Sequence, residues 1–172
     1  MLVPSLVAFA IVLATDILYV TLINSQQPGD PAVYVPRFVA SYLAVMATLI
    51  GVALLPAREV AVIRFPMRAA AAGGLLALGI LAAFSIGLPL VIAGILIGFA
   101  LSRTAREPGS APRWSGVVVA LLTVAVLVAG FEVTQRLIVC PETGTMGGGG
   151  SGFVTGPYHY ECVNGQLNFQ SG

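Results

Sequence analysis

Asp16, Glu132 and Arg136 stand inside long apolar stretches, and Arg37 opens another. Glu132 and Arg136 are four apart, so on a helix they share a face and can form an ion pair. A charge at the centre of a bilayer costs roughly 3 kcal/mol or more, so such groups must pair, meet water or work. Three chemistries fit. Asp16, Arg37, Glu132 and Arg136 could form an intramembrane ion-pair cluster that locks helices together. They could lie on a proton or ion path. They could also contact a substrate or a lipid headgroup. Tyr19, Thr134 and Gln135 add hydroxyl and amide groups close by.

Cys140 and Cys162 are the two cysteines. A bridge between them would close a loop of about 23 residues and stabilise by roughly 3 kcal/mol. The rival is a metal or haem site that adds His159, the one histidine. Scattered cysteines lack the paired spacing of zinc sites, and there is no C-x-x-C redox motif. The disulfide is therefore expected, with no cofactor. No Ser-His-acid set or nucleotide loop is visible either, so the chain is expected not to be an enzyme.

Composition says where these side chains must work. Hydrophobic residues make up 58% of the 172-residue chain and charged residues 9%. A soluble domain carries about 25% charged residues. The net charge of +1 offers no basic face for nucleic acid. All eight basic residues are arginines, which excludes Schiff-base and phosphate-loop lysine chemistry. The alanine-rich, lysine-free composition fits a high-GC bacterial source.

The elements follow from hydropathy and arginine placement. Between Arg68 and Arg103 lie 34 uncharged residues interrupted by Gly87-Leu88-Pro89. As one helix they would reach about 51 Å, against a hydrocarbon core of about 30 Å. Two helices and a tight turn fit better. The expected fold is an all-α integral membrane protein with five transmembrane helices near 2–23, 38–55, 69–86, 88–102 and 115–139. Residues 1–139 form the bundle, the third and fourth helices being a tight hairpin. Arg58, Arg64 and Arg68 fill one link, and Arg103, Arg106 and Arg113 another. Placing both links inside puts the N-terminus inside and the loop 24–35 and the C-terminal tail outside. The first segment lacks a positive n-region and a small-x-small cleavage site, so it is expected to stay as a helix. Asp16 and Glu132 then share an outer depth. The inner half offers only Ser5, Ser102 and Thr123 as polar steps, which weighs towards the lock over a path.

Small residues recur at helical spacing: Ala40, Ala44, Ala47 and Gly51 in the second segment, Ala69, Gly73 and Ala77 in the third, Gly94 and Gly98 in the fourth. Such stripes let helix backbones pack closely in lipid. They serve either the bundle itself or docking onto other subunits.

Residues 140–172 form an extracytoplasmic tail. Gly147 to Gly150 is expected to be a flexible loop. After it, alternating residues flank Asn164-Gly165, a strong hairpin signal. A two-residue turn pairs Cys162 with Leu167 and Tyr160 with Phe169. One face is then Tyr158, Tyr160, Cys162, Leu167 and Phe169, and the other His159, Glu161, Asn168 and Gln170.

The expected function is a non-catalytic accessory or structural subunit of a larger complex in the cell (cytoplasmic) membrane. Its partners would be membrane lipid and other membrane-protein subunits. The alternative is a small oligomeric transporter or channel working through Asp16, Glu132 and Arg136. An enzyme of lipid or envelope metabolism is a third reading.

Overall fold

A computed structural model describes residues 2–25, 34–56, 61–104 and 113–171. The elements run α1 (Leu2–Ser25), α2 (Tyr34–Leu54), α3 (Ala61–Leu81), α4 (Gly87–Thr104), α5 (Arg113–Thr134), β1 (Thr145–Gly152), β2 (Gly156–Val163) and β3 (Gln166–Ser171). Arg58, Arg106 and most of the expected outer loop lie outside the described residues, as does the side chain of Arg113.

Four described helices, α1, α2, α3 and α5, are long and apolar enough to cross a membrane, and α4 is a shorter apolar helix. Many large apolar side chains point outward, among them Leu18, Ile80, Ile95 and Leu121. In water this would be costly; against lipid it is the expected surface.

The helix boundaries differ from those expected in an informative way. α3 begins at Ala61, eight residues before Ala69, so Arg64 and Arg68 lie inside a helix and not in a link. Charge does not stop a helix: Arg64 reaches back to the end of α2, and Arg68 is buried within the bundle. Pro66 removes one hydrogen bond near the start of α3 without ending it. The Arg64 guanidinium donates to Leu55 O at 2.8 Å, satisfying a carbonyl left over at the end of α2. α2 likewise starts four residues early, with Pro36 in its first turn, where a missing N–H costs nothing.

The turn between α3 and α4 occupies residues 82–86 and not Gly87-Leu88-Pro89. Pro89 instead sits in the first turn of α4, and Gly87 seats that turn against the end of α3, its N–H donating to Ala82 O at 2.8 Å. A Cβ on Gly87 would lie 2.6 Å from Ala82 O, a backbone atom. Gly79 faces Val91 and Gly94 faces Leu76, so the two helices run antiparallel along their length. At 18 residues α4 reaches about 27 Å.

α5 ends at Thr134, five residues short of Val139. Its last turn tightens through Arg136 N–H to Val133 O and Leu137 N–H to Thr134 O, both 3.2 Å. The chain then leaves the helix axis and carries Cys140 to the sheet.

The chain divides into two compact units, 1–20 with 40–127, and 21–39 with 128–172. In the first, Leu43, Met46, Ile50, Leu75, Leu78, Leu90 and Ile97 form the core. The Tyr42 hydroxyl donates to Thr123 O at 3.3 Å, tying α2 to α5.

The second unit holds a three-stranded antiparallel sheet in the order β1-β2-β3. β2 and β3 pair with Cys162 opposite Leu167 and Tyr160 opposite Phe169, about the Asn164-Gly165 turn. Both turn residues have positive φ, 46° and 81°, the backbone that Asn-Gly accepts most readily. The glycine run is not a loop but the strand β1, with Gly148 opposite Tyr160 and Gly150 opposite Tyr158. A Cβ on Gly148 would stand 2.6 Å from the Tyr160 hydroxyl, and one on Gly150 2.5 Å from that of Tyr158. The missing side chains are what let the β2 rings lie across β1.

Candidate functional site

The four expected cluster residues fall in two units: Asp16 in the first, Arg37, Glu132 and Arg136 in the second. Glu132 stands in the last turn of α5, where the helix dipole disfavours an acid. Three donors answer it. Arg136 Nη2 lies 3.4 Å from Oε1. The Val154 N–H donates to Oε2 at 3.4 Å. The Thr155 hydroxyl donates to Oε1. Thr155 and Val154 belong to the β1–β2 turn, so Glu132 clasps that turn to the helix end. Gly152 makes room, since its Cβ would sit 2.6 Å from Oε1. Phe131 adds ring contacts at 5.6 Å to Phe38 and 6.5 Å to Phe153. Glu132→Gln leaves one oxygen where two accept, and is expected to raise protease cutting at residues 153–155 several-fold. Unchanged cutting would refute the clasp.

Two further fastenings hold the sheet. Cys140 and Cys162 form a disulfide, and Cys162 is fully buried. The Tyr158 hydroxyl donates to Gln135 O at 3.3 Å, and its ring stacks on Phe169 at 5.3 Å. Burial, then the nearby Tyr160 and Glu132, push the Tyr158 phenol above its ordinary range. The sign follows: only the neutral phenol donates, so its contribution is complete below the ordinary phenol value of about 10 and fades as pH rises through the raised one. The melting temperature should therefore fall less between pH 9 and 11 in Tyr158→Phe than in wild type, beyond the roughly 0.5–1.5 kcal/mol the lost bond costs at neutral pH.

The expected outer face is only partly covered. Tyr158 and Tyr160 are half-buried, while Leu167 and Phe169 stay exposed. On the polar side Thr145, His159, Glu161, Asn168 and Gln170 line a hollow of about 490 Å³ along β1.

Asp16 lies elsewhere, in a hollow of about 480 Å³ between α1 and α2, lined also by Phe9, Leu13, Ala44, Ala47, Thr48, Gly51, Val52 and Leu55. Its Oδ1 is buried without a hydrogen-bond partner among the described residues.

The small residues separate by role. Gly73 meets Ala120 of α5, with a would-be Cβ contact of 3.0 Å. Gly94 meets Leu76, and Gly51 faces the Phe9 ring. Among the described residues Gly98 meets nothing within 4 Å, so it does not share Gly94's packing role in the G-x-x-x-G pair. Ala40 is half-buried, and Ala44 is exposed into the Asp16 hollow.

Thr155, Val154 and Gly152 are the contacts that sequence reasoning missed, and Gln135, expected to add its side-chain amide, contributes its backbone carbonyl to Tyr158. Thr155 is 23 residues from Glu132, and no spacing rule links a strand turn to a helix end at that separation. The Asn164 side chain also accepts from Gly144 N–H at 3.2 Å, fixing the chain that leads into β1.

This arrangement defines a helical protein with several helices fit to span a membrane and a disulfide-fastened antiparallel sheet. No protein-family model, curated protein or solved structure matches the chain.

Proposed function

We propose that the chain is a non-catalytic multi-pass membrane protein, an accessory or structural subunit of a larger bacterial membrane complex. The observation that carries this reading is the sheet. It is held to the end of α5 by a disulfide, the Glu132 clasp and the Tyr158 bond, yet leaves Leu167, Phe169, Phe153 and Val154 exposed. A covalently fixed platform with apolar side chains outward suits docking better than turnover.

The topology that goes with it has five crossings, the N-terminus inside and the sheet outside. The length of α4 supports a fifth crossing, and the disulfide supports an oxidising compartment for the tail. The test of the subunit reading is purification at native expression levels after mild detergent extraction. A defined partner in fixed ratio is expected, lost in Leu167→Ser/Phe169→Ser. A monodisperse monomer alone would overturn the reading.

A further inference from the structure

The groove at Asp16 has a chemistry of its own. Its floor is the small-residue side of α2, Ala44, Ala47 and Gly51, and its α1 wall is Phe9, Leu13 and Asp16. Gly51 brings the two helices close, a Cβ there standing 3.4 Å from the Phe9 ring. Apart from Asp16 and Thr48 the lining side chains are apolar, and the Thr48 hydroxyl is already spent on Ala44 O at 2.8 Å. Among the described residues the groove therefore presents one unanswered acceptor, Asp16 Oδ1, within an apolar trough.

We propose that this groove receives a transmembrane helix of another polypeptide, one carrying an arginine or lysine at the depth of Asp16. The inference rests on the subunit reading above and names the chemistry of the partner. Charge complementarity selects the occupant. A carboxyl group within a membrane-spanning helix is costly unless paired, and a basic side chain supplies both charge and donors. The shallow alanine and glycine floor admits a helix backbone, as small-residue faces do in lipid. A lipid amine fits poorly, because Asp16 lies about 14 Å along α1 from Ser25 and about 21 Å from Leu2. A second copy of the chain also fits poorly. Its described arginines all lie within about two turns of a helix end or beyond it, and the chain has no lysine.

The test uses the full-length protein in phosphatidylcholine vesicles. The probe is a synthetic Leu/Ala transmembrane helix with one central Arg, compared with the same helix bearing Leu there. Association is read by energy transfer. The Arg helix should bind at least about tenfold more tightly than the Leu helix, a difference of 1.4 kcal/mol by the thermal constant. Asp16→Asn should remove that preference, and Thr48→Trp, which fills the groove from an exposed position, should weaken both probes. Asp16→Leu in the isolated protein should hold or raise the melting temperature, since no described residue answers Oδ1.

Equal binding of the two helices, or a preference that survives Asp16→Asn, overturns the proposal. So does a fall in melting temperature for Asp16→Leu, which would mean that Asp16 is paired within its own chain. Asp16-dependent energy transfer between two labelled copies would give the groove to a second copy. Loss of selectivity on adding phosphatidylethanolamine would give it to a lipid amine. Either result ends the proposal. A co-purifying partner together with a negative probe result would sink this inference alone and leave the subunit reading standing.

Discussion

Cys140→Ser is expected to destabilise the second unit by about 3 kcal/mol, the loop-closure value for a bridge of this span. The cysteines are 22 residues apart, and the segment between them contains β1 and most of β2. Opening the bridge leaves the sheet held by the Glu132 clasp and the Tyr158 bond. These are polar contacts near water, where exchange with solvent makes each one modest. The expected readout is a marked rise in protease cutting between residues 140 and 170, with the melting of the helices little changed. Cutting as slow as in wild type would show that the polar fastenings suffice. The same variant reports on topology, since it frees Cys162. A membrane-impermeant maleimide should label it in intact cells once the sheet loosens. Labelling only after lysis would reverse the proposed orientation.

Gly87→Val is expected to cost about 1–3 kcal/mol or somewhat more, the range for forcing atoms into a packed site. The added Cβ would meet Ala82 O at 2.6 Å and Ala82 C at 2.7 Å, and backbone cannot swing aside as a side-chain end can. The α3–α4 turn would have to open, separating the Gly79–Val91 and Leu76–Gly94 contacts that follow it. Gly98→Ala is the control. Its Cβ meets nothing within 4 Å, and alanine is the better helix former by roughly 1 kcal/mol. Thermal melts in detergent should show the first variant well below wild type and the second at or above it. Equal melts for both would mean that the turn does not depend on Gly87.

Much of this molecule was legible in its residues because the causes are local. The uncharged run between Arg68 and Arg103 is too long for one crossing, so two helices and a turn follow from its length, although the turn falls at 82–86, ahead of Gly87-Leu88-Pro89. Asn164-Gly165 between alternating runs dictates a turn with positive φ, and the turn dictates the register of β2 and β3. Two cysteines without metal-type spacing point to a bridge. Other features failed for equally physical reasons. A glycine run has the backbone freedom of a loop, but here it pairs with β2, and its missing side chains leave room for the Tyr158 and Tyr160 rings. Charge alone does not mark a link: Arg64 and Arg68 both stay in α3, Arg64 reaching back to Leu55 O and Arg68 buried.

The charged residues show the division most sharply. Sequence alone established that Asp16 and Glu132 need an answer, since an acid in an apolar stretch is costly whatever the fold. It also placed Arg136 on the same helix face as Glu132. Only the tertiary structure decided who else answers. Glu132 takes Thr155 and Val154 from a turn brought back by the disulfide and the β1–β2 pairing. Asp16 is left in a groove with its Oδ1 unanswered among the described residues. Helix faces and tight turns are set by neighbours within a few residues, so they can be read along the chain. Partners 22 or 23 residues apart meet only when a whole sheet folds, and no local rule encodes that meeting.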